Sequence, residues 1–314
     1  MARDWESQFT TWAKPPSKTE TEKMERAEKG IRDAIGASTK LAEHDIVVFP
    51  QGSYANRTNV AGESDVDICV VCRDVFFSDW AWVDKAARTD PEVRKALQRE
   101  AGISDTAYTY AEFKNDVGAA LVARFGPPPA VERGDKVYDI HENTYRVESD
   151  CLPALETRHW QRFGGTLSDA TKGTEFVSDK GKRIQNFPAQ QYANGVKKHT
   201  DTNRRFKKLV RILKNLRNEM DANKVPEAGP IPSFLVECLV WNVPNDTFGQ
   251  ATFYAELREV LRFLYHATKS DDACGKWHEE NDIRFLFHVT QGWTHEEANA
   301  FILAAWTYVG YGKS

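Results

Sequence analysis

Apolar positions along this chain alternate between two periods. From Ser17 the stretch SKTETEKMERAEKGIRDAIGASTKLAEH places Met24, Ala27, Ile31, Ile35 and Leu41 near helical spacing. This predicts one long helix with Ser17 or Thr19 as its N-cap. The apolar runs IVVF (46–49) and VDICVV (66–71) predict two strands flanking a Gly-Ser segment. Residues 79–125 read as mainly helical, with Asp90-Pro91 opening a second segment and Gly126-Pro127-Pro128-Pro129 ending it. KVYDIH (136–141) and TYRVESDCLPAL (144–155) predict two further strands joined by a polar turn at Glu142 and Asn143. Residues 161–200 are poor in apolar positions and predict a loop or hairpin excursion, suited to a lid or a crossing between lobes. After it the helical period returns over 202–221, 232–241, 248–269, 279–290 and 294–308. Pro15-Pro16 in a mixed segment marks residues 1–17 as a loose arm.

Strands mixed with helices, then helices alone, is an α+β arrangement. The expected domains are 1–200, a mixed-sheet lobe with a long N-terminal helix and the excursion, and 201–314, a helical lobe. The length of 314 residues and 41% hydrophobic content support a substantial core. No run of eighteen apolar residues occurs and the N-terminus carries no apolar leader, so the expected location is the cytoplasm, with no membrane contact. Five scattered cysteines fit free thiols in a reducing compartment. Cys69 and Cys72 form a CxxC, but three residues apart on a strand they face opposite ways, and they read as core thiols. No HxxxH or HExxH spacing supports a histidine-based metal site. A net charge of −4 argues against a protein that coats nucleic acid, although residues 197–218 are strongly basic. That run is either a solvated helix face or a surface facing polyphosphate.

The chemistry centres on QGSYANRTNVAGESDVDICVV. Asp65 and Asp67 lie two residues apart, so on a strand both carboxylates reach one face while Val66 and Ile68 enter the core. Carboxylates held about 6–7 Å apart at the backbone repel unless a cation lies between them, and hard oxygen donors suit Mg²⁺. Gly52-Ser53 follows Gln51 at a strand end and offers backbone N–H groups and a hydroxyl to a phosphate. A third carboxylate is due from a neighbouring strand. In TYRVESDCLPAL, Arg146, Glu148 and Asp150 share a face; Asp150 is the expected ligand and Glu148 its competitor. Three aspartates beside a phosphate cradle are the parts of a two-metal phosphoryl-transfer site.

Gly52-Ser53, Asp65-x-Asp67 and the distant Asp150 resemble the hG[GS]…DxD…D signature of the DNA polymerase β-like nucleotidyltransferase superfamily. The wording QGSYANRTNV…SDVDICVV, ESDCLPAL, TNRRFKKLVRILKNLRN and PSFLVECLVWNVP, over roughly residues 45–245, resembles the bacterial cGAS/DncV-like nucleotidyltransferases. The resemblance implies a polymerase β-like catalytic core with a C-terminal helical lobe. It also implies a synthase that joins nucleoside triphosphates into a cyclic di- or trinucleotide signal for anti-phage defence, read by a separate effector protein. Asp65, Asp67 and Asp150 would hold Mg²⁺, or Mn²⁺ in its place, and Gln51, Gly52 and Ser53 would contact the triphosphate. Lys214 and Ser233 would hold the donor triphosphate, with Phe234 stacking on its base; core packing is the other reading of Phe234. The relatives' animal zinc insertion is absent, and double-stranded nucleic acid stays an optional activator through the basic run.

Two other functions share these residues. A transferase acting on RNA, protein or a small acceptor would use the same carboxylates, and a non-catalytic nucleotide or nucleic-acid sensor would use the basic helix. All three carboxylates being present weighs against the sensor. Thr174, Ser178, Asn186 and Gln190, in the excursion, are placed to influence base choice.

Overall fold

Strand β1 (Ile46–Pro50) runs antiparallel to β2 (Val66–Asp79), and β2 runs parallel to β5 (Ser149–Trp160). The strands β3 (Val131–Arg133) and β4 (Tyr138–Ile140) complete the order β1-β2-β5-β4-β3. A hairpin of β6 (Ala170–Val177) and β7 (Arg183–Asn186) pairs with the second half of β5. The computed structural model describes residues 3–62, 65–79, 91, 108–160 and 170–312. Of the helical stretch expected over 79–125, residues 80–90 and 92–107, with the Asp90 start of its second segment, therefore lie outside the described residues, as do 161–169.

The chain forms two compact units. One comprises Thr19–Gln51 and Asp65–Pro188 and contains the whole sheet. The other gathers Met1–Lys18, Gly52–Ser64 and Ala189–Ser314. The main sequence break falls at 188/189, and two short upstream segments group with the helical part.

In the sheet unit, α2 (Lys18–Gly36) buries Met24, Ala27, Ile31 and Ile35, the stripe seen in the sequence. It stops at Gly36, and Leu41 is buried from a separate 3₁₀ turn at Leu41–Glu43. The strand expected from residue 144 begins at Ser149. Upstream, Asn143 Oδ1 accepts the N–H groups of Tyr145 (2.9 Å) and Arg146 (3.0 Å), and Glu148 Oε2 accepts that of Glu142 (2.7 Å). These local acceptors compete with ladder pairing and win.

In the helical unit, α1 (Trp5–Trp12) replaces the loose arm expected at the N-terminus. Asp4 caps it through Ser7 N–H (3.0 Å), and Phe9 is fully buried with Phe206, Leu213, Leu239, Leu261 and Phe301. Burying one phenylalanine contributes about 2 kcal/mol, which offsets fraying of so short a helix. The segment Gly52–Asn56 forms α3, and α4 (Tyr110–Phe125), in the sheet unit, starts from a Thr109–Glu112 capping box.

Helix α5 (Pro188–Asp201) lies inside the expected excursion. Asn194-Gly195 lowers its propensity and masked it, yet a Cβ at Gly195 would stand 2.2 Å from Glu280 Oε1. Then follow α6 (Phe206–Ala222), α7 (Ser233–Trp241), α8 (Phe253–Ala267), the short α9 (Asp271–Cys274) and α10 (His295–Val309). Residues 279–290 are not helical: Asn281 Oδ1 accepts from Ile283 N–H (2.9 Å) and Arg284 N–H (3.1 Å), turning the chain into a bridge between His278 and Phe285.

Candidate active site

The parallel register sets Asp67 of β2 beside Asp150 of β5, and the antiparallel register sets Asp139 of β4 beside Asp150 on the other side. Residues directly paired across strands point to the same face. Asp67, Asp150 and Asp139 therefore form a row of carboxylates across three adjacent strands, with Asp65 two residues before Asp67. Their neighbours Val66, Ile68 and Cys151 are completely buried, which fixes the strands beneath the row. Sequence reasoning missed Asp139. Its signal was present in Tyr138-Asp139-Ile140, where a polar residue alternates with two buried ones.

Burial and mutual repulsion perturb the carboxyls of this row. The carboxyl of Asp150 is pushed up to about 7, first by burial, then by the charge of Asp67, then by its hydrogen bond to Asp139 and the charges of Asp139 and Asp65. Burial, with Glu148 and Glu142, also raises Asp65. Charges that repel so strongly in a row of hard oxygen donors fit a divalent cation, which removes the repulsion when bound. The competing ligand Glu148 is engaged elsewhere: it accepts the N–H of Glu142 and lies 2.7 Å from His141 Nδ1.

A pH effect follows with a definite sign. The folded chain holds the Asp150 proton up to about pH 7, whereas an unfolded aspartate loses it near 4. Without metal, stability drawn from this proton is therefore lost as pH rises between those values. The melting temperature of wild type relative to Asp150→Asn is expected to fall over that window in chelator and to stay level in excess Mg²⁺. A difference independent of pH in chelator would contradict the assignment.

The Gln51-Gly52-Ser53 turn is set by backbone. Gln51 N–H donates to Asp67 O (2.9 Å), tying the end of β1 to the DxD strand. Gly52 opens α3 at φ +64°, a conformation that favours glycine, and Ser53 O accepts Thr58 N–H (2.9 Å). In the first turn of α3 the N–H groups have no intrahelical acceptor.

Lys214, Ser233 and Phe234, which the resemblance implies for the triphosphate and its base, each engage neighbours within the helical unit. Lys214, only 2% exposed, forms an ion pair with the equally buried Glu237 at 2.9 Å. Glu237 also accepts from Thr58 Oγ1 (2.7 Å) and Asn56 Nδ2 (3.2 Å). Burial alone would raise the Glu237 carboxyl, but the charge of Lys214 and hydrogen bonds from Glu280, Lys214 and Thr58 hold it low. Its partner Glu280 is pushed well up by burial and by Glu237. The Lys214 ammonium thus has a buried carboxylate partner inside the helical unit. Ser233 Oγ accepts from Arg217 Nη2 (2.7 Å), and Phe234 packs on the helical core with its ring centroid 6.2 Å from that of Trp293. Phe234 is only partly buried there. Among the residues placed to influence base choice, Thr174 and Asn186 pair across β6 and β7. Ser178 accepts Lys182 N–H through Oγ (3.2 Å), and Gln190 lies in α5.

Known proteins show the same organisation. The family pattern of the cGAS/DncV-like nucleotidyltransferase C-terminal helical domain matches residues 193–310. The chain is 40% identical over 309 residues to the cyclic dipyrimidine nucleotide synthase CdnE of Legionella pneumophila, covering 98% of this chain and 99% of that protein. A synthase of the same description from Cecembia lonarensis is 39% identical, covering 99% and 100%. The solved Rhodothermus marinus CdnE c-UMP-AMP synthase with Apcpp and Upnpp superposes with a TM-score of 0.83 at 28% identity over 98% of each chain. With end-to-end similarity, the helical domain and the mixed sheet in agreement, the chain belongs to the cGAS/DncV-like nucleotidyltransferases and is a nucleotidyltransferase of their cyclic-nucleotide-synthase type.

Proposed function

We propose that the enzyme joins nucleoside triphosphates into a cyclic dinucleotide by two-metal phosphoryl transfer, using Mg²⁺ or Mn²⁺ held by Asp65, Asp67 and Asp150. The observation that carries this reading is the Asp67–Asp150 register, which sets two carboxylates side by side on parallel strands. When bound, the ions neutralise the phosphates and lower the pKa of the attacking hydroxyl. The aspartates hold and orient them, and Asp139, hydrogen-bonded to Asp150, fixes that carboxylate's direction. Backbone N–H groups at Gly52 and Ser53, with Gln51, take the triphosphate. A 2′- or 3′-hydroxyl attacks the α-phosphorus, the bond to the bridging oxygen breaks, and pyrophosphate leaves. A second transfer of the same kind closes the ring. Positioning and charge neutralisation supply most of the catalysis.

Pyrimidine bases are the proposed substrates, because the two relatives near 40% identity are dipyrimidine synthases. The product would be a signal read by a separate effector in anti-phage defence. No helix among the described residues is long and apolar enough to cross a membrane. Purified enzyme incubated with the four radiolabelled triphosphates and Mg²⁺, and nothing else, is expected to yield a phosphatase-resistant product containing uridine or cytidine by mass spectrometry. A product formed only when RNA, protein or a small acceptor is added would replace this reading with acceptor modification. Transfer that needs double-stranded nucleic acid would show that such an activator is required.

A further inference from the structure

A second cluster of metal-ligating side chains lies at the other end of β2. The β1–β2 register pairs Ile46 with Cys72, and Arg73 N–H donates to Asp45 O (2.9 Å), so the antiparallel alignment continues beyond the end of β1. Extending it two residues sets His44 opposite Asp74, on the same face as Cys72. His44 Nδ1 indeed stands 3.0 Å from Asp74 Oδ2, and the donor atoms of His44, Cys72 and Asp74 all lie within 4.8 Å of one another. Cys72 is five residues along β2 from Asp67, about 16 Å, and on the opposite face of the strand. The cluster is therefore separate from the aspartate row.

Each donor is held by its surroundings. The Cys72 sulfur accepts backbone N–H groups of Asp74 and Val75, where a register shift between Cys72 and Phe76 interrupts pairing with β5. Asp74 Oδ2 accepts Asp45 N–H (3.0 Å), and the His44 ring stacks on Tyr108 at 3.9 Å between centroids. Such outer contacts orient ligands in metal sites. Cys72 is fully buried, whereas the His44 and Asp74 side chains are 20% and 38% exposed, which leaves a solvent approach to the cluster. His44 also lines a cavity of ≈ 340 Å³.

We propose that His44, Cys72 and Asp74 bind a thiophilic divalent cation of the zinc class, with three protein ligands and one position open to water. Sulfur and imidazole donors favour zinc over magnesium, and nitrogen, oxygen and sulfur ligands of tetrahedral zinc lie about 3.3–3.6 Å apart. The cluster needs to close by no more than about 1.5 Å to reach that spacing. Binding forms a metal–sulfur bond and releases the Cys72 thiol proton to water, with no change of oxidation state. The ion would cross-link the chain just before β1 to β2, stabilising the sheet edge by mass action.

Cobalt(II) added to chelator-stripped, full-length protein tests this directly. A single equivalent is expected to give a thiolate-to-cobalt charge-transfer band in the near ultraviolet that zinc displaces. The band should vanish in Cys72→Ser and in His44→Gln, and persist in Asp67→Asn, which alters only the aspartate row. His44→Gln keeps the buried thiol in place, so the test stands even where Cys72→Ser fails to fold. No band in wild type, or a band that survives in folded His44→Gln, would overturn the proposal. The readout needs no nucleotide, so it is independent of the proposed synthesis.

Discussion

Asp67→Asn is expected to lower product formation by about 10³-fold or more while leaving the melting temperature in metal-free buffer unchanged or raised. Asp67 stands beside Asp150 in the parallel register, and its charge is the second-largest cause, after burial, of the elevated Asp150 carboxyl. Removing that charge relieves repulsion in the apoprotein, so folding does not suffer. It also removes a hard anionic ligand, so the cation that neutralises the phosphates is lost or misplaced. Opposite signs for activity and stability separate a cation site from a merely structural strand end. Substantial turnover in Asp67→Asn, or a large drop in its melting temperature without metal, would count against the assignment.

Lys214→Met is expected to destabilise the protein by about 3–5 kcal/mol, because it leaves Glu237 charged and unpaired in the interior. The double variant Lys214→Met, Glu237→Gln should recover most of that loss. A glutamine keeps acceptor and donor atoms for Asn56 and Thr58 but carries no charge to desolvate. Thermal or denaturant unfolding of the single and double variants measures both terms. If Lys214 instead acted mainly on substrate triphosphate, its loss would raise KM with little change in stability, and Glu237→Gln would not rescue it.

These two sites differ in how far the chain alone revealed them. The DxD spacing and the strand periodicity are local facts, since side-chain direction repeats every two residues. Asp65 and Asp67 were therefore legible once a strand was recognised, and Asp150 was found by the same alternation even though its strand starts five residues later than expected. Asp139 escaped because β4 is only three residues long, too short for a period to stand out. Lys214 illustrates the opposite case. Its place on the basic helix agreed with a triphosphate contact, but the partner that claims it is twenty-three residues downstream, and Thr58 lies on a distant segment. Neither is visible to a local pattern.

The sequence by itself determined the α+β class, the strands carrying the aspartates, most helices of the C-terminal part and the family resemblance. All of these rest on periodicity or short spacing, which local backbone geometry enforces. Tertiary structure alone decided which distant residues share a place. It put Asp139 beside Asp150, folded the N-terminal arm onto the helical core through Phe9, buried Lys214 against Glu237, and gathered His44 with Cys72 and Asp74. Strand register and burial select these partners, and both are properties of the packed chain, in which residues far apart in sequence compete for the same side-chain contacts.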